Sequence, residues 1–216
     1  MSDRPDRPPP TADDTRVTVV LVHGLLRTPR SLHWLARALD RAGFRVERFG
    51  YSSTRGAIAE HGQRLAAELR RLVAERPLGA LHLVAHSLGN LVVRAALDGT
   101  ARPRIGRVVM LVPPNRGSPV ARVLARWLGG FVPVLRELSD DPAASVHRLP
   151  APLDAEVGVI AARFDHLVPE SSTHLPGERD HVRLPAFHTS VLWNRGVAQR
   201  VIEFLSSGRF GAGERP

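Results

Sequence analysis

The sequence predicts an α/β fold in which a mostly parallel sheet carries helices on both faces. Short apolar runs alternate with segments of helical periodicity along the chain, which is typical of βαβ units. Most of these runs are almost continuously apolar, as strands covered on both faces must be. The length of 216 residues is enough for one domain with a sizeable core and too short for two.

Five apolar runs are strong strand candidates, and a shorter sixth run is a weaker one. They lie at 17–22, 44–49, 81–85, 108–112 and 157–161, with 182–184 as the sixth. The segments between them have the apolar period of helices. We expect helices from Thr28 to Gly43, over 58–75, from Ser87 to Gly99 and over 197–205. Pro29 suits a first helical turn, and Pro77 suits a stop after the second helix.

The chain is expected to form a single domain over residues 15–210. Residues 1–14 are rich in Pro, Asp and Arg and lack the apolar centre of a secretory signal, so we expect a disordered tail. Residues 211–216 are expected to form a flexible C-terminal tail. The segment 119–150 is longer than a plain crossover between two strands requires. It begins as an amphipathic helix, so it either caps a site or packs on the core, and the sequence leaves both open.

Composition narrows the class of protein. The chain has no cysteine, which excludes disulfides and cysteine-bound metals and fits a cytoplasmic location. No apolar stretch is long enough to span a bilayer, although a transient contact with a membrane surface stays open. The net charge is +9, and all 30 basic residues are arginine. Because these arginines are spread along the chain without basic runs, we expect no nucleic-acid partner.

The strongest chemical signal is the sequence Leu-Val-Ala-His-Ser-Leu-Gly at 83–89. An apolar strand turns there into a helix, with Ser87 at the turn and small residues two positions before and after it. A strained turn of this kind makes a serine hydroxyl protrude while the backbone packs closely around it. The alternative role for such a serine is a helix N-cap. The strand before it and the helix after it favour a nucleophile.

The loop after the first strand is expected to help stabilise negative charge. Acyl transfer needs two donors aimed at the oxyanion of a tetrahedral intermediate. We expect one to be the backbone N–H of Leu88, directly after the serine, and the other to be that of Leu25. His23, which precedes Leu25 in this loop, is expected to brace the turn rather than to act as a base.

The acid is expected after a later strand. Asp165 follows the run 157–161, and a carboxylate there can hold the tautomer of a histidine. Asp140, Asp141 and Asp154 precede that strand and suit turns or caps instead.

The base is expected last in chain order. The candidates that follow Asp165 are His166, His174, His181 and His188. Catalytic loops gather at the carboxyl ends of parallel strands, and His188 follows the run 182–184 whereas His181 precedes it. His166 is too close to Asp165 in sequence to bridge it to the serine. We therefore expect His188 to be the base, with His174 as the next candidate.

Together these motifs resemble those of the small lipase-like and esterase-like α/β-hydrolases of bacteria, a group also described as predicted acetyltransferases or hydrolases. The matching stretches are Val22-His23-Gly24-Leu25, Ala85-His86-Ser87-Leu88-Gly89, 109–118, Asp165 with Val168-Pro169, and Phe187-His188-Thr189-Ser190. The resemblance runs from about residue 16 to residue 210. It implies an α/β-hydrolase fold with Ser87 as nucleophile, Asp165 as acid and His188 as base, in agreement with the reasoning from the residues.

The sequence therefore predicts a serine hydrolase that cleaves carboxylic esters through an acyl-enzyme, without a cofactor or metal. The expected substrate is a small-molecule or lipid ester with an apolar acyl part. The residues expected to line its pocket, with core packing as the alternative, are Trp127, Leu128, Phe131 and Val134. The same triad can also transfer acyl groups to an alcohol or cleave amides and thioesters. A non-catalytic binding module on this fold is the alternative of a different class, and the sequence indicates no oligomeric state.

Overall fold

Six parallel strands form one sheet in the computed structural model, which describes residues 16–75, 80–98, 105–151 and 154–211. Their order across the sheet is β2-β1-β3-β4-β5-β6. The strands are β1 (Thr18–Val22), β2 (Arg45–Phe49), β3 (Leu81–His86), β4 (Arg107–Leu111), β5 (Glu156–Ala162) and β6 (Asp180–Leu184). All the predicted strands are present, and the weakest of them, β6, pairs with β5 over its whole length.

Helices cover both faces of the sheet, as predicted. They are α1 (His33–Arg41), α2 (Ile58–Glu75), α3 (Leu88–Ala96), α4 (Pro119–Leu128), α5 (Val134–Glu137), α6 (Glu170–Thr173) and α7 (Arg195–Ser207). The helices α1 and α7 pack on one face, and α2 and α3 pack on the other. The predicted fold class is therefore confirmed.

Side chains of the central strands alternate between two buried clusters. Val20 and Val22 of β1 pack toward α2 and α3, whereas Val19 and Leu21 pack toward α1 and α7. All five residues of β1 are buried, because the strand is covered on both faces. The edge strand β2 is more polar and only partly buried.

Local sequence accounts for the ends of several helices. Before α4, the Ser118 hydroxyl accepts a hydrogen bond from the Ala121 N–H at 3.2 Å. At the start of α7, the Asn194 side chain accepts one from the Val197 N–H at 3.2 Å, and Gly208 ends that helix with a φ of 76°. The helix expected from Thr28 begins instead as a 3₁₀ turn, Pro29–Leu32, that leads into α1.

The segment 119–150 consists of α4, α5 and a 3₁₀ turn, Ser145–Arg148. It lies in chain order between β4 and β5, where the sequence places it. The predicted N-terminal tail, Pro77, Gly99 and residues 212–216 of the predicted C-terminal tail lie outside the described residues. Among the helices that are described, none combines the length and the apolar character needed to cross a bilayer.

Strand order determines where chemistry can gather. The neighbours β1 and β3 are not consecutive in the chain, because β1 is followed by the edge strand β2 and the chain then crosses back to β3. A crevice forms at the carboxyl ends of two such strands, where the connections diverge. The loops after β5 and β6 leave the sheet at the same edge, since all six strands are parallel.

Candidate active site

Ser87 lies in a strained turn between β3 and α3. Its φ of 52° and ψ of −123° are outside the regions that non-glycine residues ordinarily adopt. The Ser87 N–H donates a hydrogen bond to the Leu111 carbonyl at 3.0 Å. Below the turn, the buried side-chain amide of Asn90 donates to the carbonyls of Ser87 and Leu111, at 3.0 and 3.1 Å. These bonds hold the strained backbone in place.

Two glycines allow the loop after β1 to approach this turn closely. A β-carbon at Gly24 would lie 2.8 Å from His86 Nδ1 and 3.0 Å from Ser87 Cβ. A β-carbon at Gly89 would lie 2.6 Å from the carbonyl oxygens of both Val22 and His23. A side chain at either position would therefore push the loop and the turn apart.

Hydrogen bonds join Ser87, His188 and Asp165. His188 Nε2 lies 2.9 Å from Ser87 Oγ, and His188 Nδ1 lies 2.7 Å from Asp165 Oδ2. The other carboxylate oxygen, Oδ1, accepts the N–H groups of Leu167 and Val168 at 2.8 and 2.9 Å. With its side chain only 2% exposed, Asp165 holds a fixed orientation. A proton on His188 Nδ1 leaves Nε2 free to accept the serine proton.

The other candidate histidines lie elsewhere. His174 and His181 both contact Glu178 at 2.9 Å, ahead of or at the amino end of β6. His166 is exposed beside Asp165. The structure thus brings Ser87, Asp165 and His188 together and leaves the alternative bases in other places.

His86 supports the loop that carries His188, a role that sequence reasoning missed. Its Nε2–H donates to the His188 carbonyl at 2.9 Å, and the two rings lie 5.2 Å apart. Burial, and to a smaller extent the nearby His188, lower the pKa of His86 to about 3. The ring is therefore neutral near pH 7 and acts as a hydrogen-bond donor.

The N–H groups of Leu25 and Leu88 lie in the loop after β1 and at the first residue of α3. Leu25 lines a cavity together with Ser87. In the described part of the chain, neither N–H donates a hydrogen bond to another protein group. Both N–H groups are therefore available to donate hydrogen bonds to a ligand.

His23 braces the loop after β1 from within. The ring is buried and stacks on Tyr51 with 4.4 Å between ring centroids, and the Tyr51 hydroxyl donates to the His23 carbonyl at 2.7 Å. Burial is the main cause that lowers the pKa of His23. A neutral, buried ring of this kind is a structural element of the turn.

A cavity of about 410 Å³ opens at Ser87 and His188. One wall comes from the segment 119–150, through Val120, Ala121, Leu124, Leu135 and Leu138. The rest of the lining includes Leu25, Leu26, Arg27, Leu167, Val168 and Thr189. The surface of the cavity is mostly apolar, with Arg27 as the cationic group on it.

The prediction that Trp127, Leu128, Phe131 and Val134 line the pocket is wrong in its residues, although it named the right segment. The lining of α4 comes from its first two turns, and the last turn lies outside it. Trp127 and Phe131 are 79% and 83% exposed, whereas Val134 is buried in the core, the alternative role considered for it. An apolar stripe shows which side of a helix is covered, but it does not show which turn faces a site.

Sequence comparison with known proteins gives one family match, which covers the first part of the chain. Residues 13–111, a little under half of the chain, match the family described as "Putative serine esterase (DUF676)". No curated protein sequence matches the chain significantly.

Three solved structures illustrate the similarity of fold. A Bacillus licheniformis lipase in its propeptide form has a TM-score of 0.74 at 19% identity, over 96% of this chain and 53% of that one. Its mature form has a TM-score of 0.69 at 19% identity, over 94% of this chain and 95% of that one. Aspergillus fumigatus lipase B has a TM-score of 0.72 at 16% identity, over 92% of this chain and 54% of that one.

The chain thus spans about half the length of two of these proteins and nearly all of the mature bacterial lipase. At these identities the structural similarity shows the fold, and the match over residues 13–111 adds support for an ester hydrolase. The resemblance to the esterase-like and lipase-like α/β-hydrolases is therefore confirmed, by fold over nearly the whole chain and by sequence over its first half.

Proposed function

We propose that the protein is a serine esterase that cleaves carboxylic esters through an acyl-enzyme on Ser87. The observation that carries this proposal is the continuous hydrogen-bonded path from Ser87 Oγ through the His188 ring to Asp165, with distances of 2.9 and 2.7 Å. The serine is the nucleophile, the histidine the base and the aspartate the group that orients the histidine.

In the first step, Ser87 Oγ attacks the ester carbonyl while His188 Nε2 takes the hydroxyl proton. The tetrahedral intermediate places its oxyanion against the N–H groups of Leu25 and Leu88. The intermediate collapses with departure of the alcohol, which receives the proton from His188. Water, deprotonated by the same nitrogen, then attacks the acyl carbon, releases the carboxylic acid and restores the Ser87 hydroxyl.

The cavity surface favours esters with an apolar acyl part. Leu26, Leu124 and Leu167 line the cavity and are also exposed, so its entrance is apolar as well as its interior. An acyl chain that leaves water for this surface gains about 0.8 kcal/mol per buried methylene. A small-molecule or lipid ester fits this surface, and a lipid ester would reach it by a transient contact with a membrane surface.

The experiment combines covalent labelling with turnover. A fluorophosphonate probe should label the wild type and Ser52→Ala, a variant at an exposed serine, but not Ser87→Ala. With p-nitrophenyl esters of increasing chain length, Ser87→Ala should lose at least roughly three orders of magnitude in turnover. Product analysis with an added alcohol measures how much acyl group goes to the alcohol instead of water.

Two results would contradict the proposal. Labelling of Ser87→Ala at the wild-type level would place the nucleophile elsewhere. A folded wild type that neither reacts with the probe nor cleaves any ester of the series would favour the non-catalytic binding module.

A further inference from the structure

We propose that His174, Glu178 and His181 bind one divalent transition-metal ion, with zinc as the ion to test. These residues take no part in the proposed ester chemistry. His181 lies at the amino end of β6, whereas His188 follows its carboxyl end, so the two sites lie at opposite edges of the sheet. The role of such an ion would be structural.

The three side chains present their ligand atoms to one small space. Glu178 Oε1 lies 2.9 Å from Nδ1 of His174 and 2.9 Å from Nδ1 of His181. All three ligand atoms lie within 4.8 Å of one another, and the two rings are 4.2 Å apart. Ligand atoms of a tetrahedral zinc ion are about 3.3 Å apart, so small side-chain rotations bring these atoms to bonding distance.

The contacts of the His181 ring are compatible with those of a metal ligand. The Thr173 hydroxyl donates its proton to the Glu170 carbonyl at 2.7 Å, so it can only accept from His181 Nε2, which lies 3.4 Å away. With its proton on Nε2, His181 would donate to Thr173 and present Nδ1 as the metal ligand, as metal-bound imidazoles commonly do.

A backbone hydrogen bond orients the Glu178 carboxylate, as neighbouring groups commonly orient the ligands of metal sites. The Leu175 N–H donates to Glu178 Oε2 at 2.9 Å, which leaves Oε1 to face the two histidines. The two arginines that flank His181 in sequence do not compete for Glu178, because Arg179 pairs with Glu156 at 2.7 Å and Arg183 pairs with Glu170 at 2.9 Å.

Two imidazole nitrogens and one carboxylate oxygen suit zinc or cobalt better than calcium or magnesium, which prefer oxygen ligands. The His181 side chain is 7% exposed and that of His174 is 37% exposed, so water can reach a fourth coordination position from the His174 side. The ion would tie the turn 174–178 to the start of β6.

The test uses the full, untagged chain after treatment with EDTA. Titration with zinc chloride in a calorimeter should give one site per chain. The melting temperature should rise by about 5 °C or more when free zinc exceeds its Kd one hundredfold. Cobalt should bind at the same site with visible absorption bands, and calcium should give no shift in melting temperature.

Two variants each remove one ligand, and a third variant serves as the control. His174→Gln and Glu178→Gln should each raise the zinc Kd at least tenfold, whereas His147→Gln, at an exposed histidine, should leave it unchanged. His174→Gln is expected to fold, because this side chain is partly exposed. No zinc binding by the wild type, an equal response to calcium, or unchanged zinc affinity in both ligand variants would overturn the proposal.

Discussion

The guanidinium of Arg27 donates a hydrogen bond to the hydroxyl of Thr189 at 3.1 Å, across 162 residues of sequence. Arg27 belongs to the loop after β1, which contains Leu25, and Thr189 directly follows His188. Both residues line the cavity. This bond therefore links the loop that supplies a proposed oxyanion donor to the loop that carries the proposed base.

We predict that Thr189→Val lowers kcat about tenfold with little change in KM. Valine preserves the shape of the side chain but cannot accept the bond, and a loss of about 1.4 kcal/mol in positioning corresponds to that factor. Thr28→Val, at an exposed threonine whose side chain caps no helix, is the matched control. Steady-state kinetics with one p-nitrophenyl ester checks this, and a Thr189→Val enzyme with wild-type kcat would show that the bond has no part in positioning.

His188→Ala should abolish ester turnover, because no other described histidine bonds to Ser87 Oγ. His33→Ala, at an exposed histidine of α1, should retain it. Initial rates measured on folded protein, as judged by circular dichroism, make the comparison. Substantial turnover by His188→Ala would assign the base to another residue.

Asp165→Asn should reduce kcat strongly, but by about two orders of magnitude less than Ser87→Ala. An asparagine can still accept the Leu167 and Val168 N–H groups, which turns its NH₂ toward His188 Nδ1. The ring must then carry its proton on Nε2 and cannot accept one from the serine, although the oxyanion donors remain. Single-turnover kinetics of both variants tests the order, and equal losses would contradict it.

The corrected cavity lining predicts which residue sets chain-length preference. Leu124→Ala should lower kcat/KM for long-chain esters relative to acetyl esters, by about fourfold for each acyl methylene that no longer packs against the side chain at this position. Trp127→Ala should leave this ratio near that of the wild type, because Trp127 lies outside the lining. The ratio of kcat/KM across a p-nitrophenyl ester series measures the effect. A change of this ratio in Trp127→Ala but not in Leu124→Ala would show that Trp127, rather than Leu124, contacts the acyl chain.

Stability should fall as the pH is lowered from about 6.5 toward 3. Burial lowers the pKa of His86 to about 3 in the folded protein, so between these values the unfolded chain binds a proton that the folded chain does not. His23 and His82, whose pKa values burial also lowers, act in the same direction.

Urea unfolding at pH 7.5 and pH 5.0 checks this expectation. Between these two pH values, His86→Gln should lose less free energy of unfolding than the wild type does. The difference should reach up to about 1.4 kcal/mol per pH unit, since glutamine keeps a donor and does not titrate. An unchanged pH dependence in His86→Gln would show that His86 does not contribute to it.

The turn that carries Ser87 could be predicted from the sequence, because the residues that form it are neighbours in the chain. The apolar run before Ser87, the helix after it and the small residues on either side are adjacent in the chain, so their pattern predicts the turn. Chain order also distinguished His188 from His181 as the candidate base. His188 follows β6 and His181 lies at its start, and parallel strands bring their carboxyl ends to one edge of the sheet. Such arguments need only the type of each element and its place in the order.

Contacts between distant segments were decided by tertiary structure. The sequence by itself determined the six strands, the helices on both faces and the segment that borders the cavity. Only the packed chain decided that Leu124 rather than Trp127 lines the cavity, that Arg27 meets Thr189, and that His174 and His181 share one carboxylate oxygen. Periodicity reports which face of an element is buried, whereas convergence of side chains depends on how far each element is shifted and rotated against its neighbours.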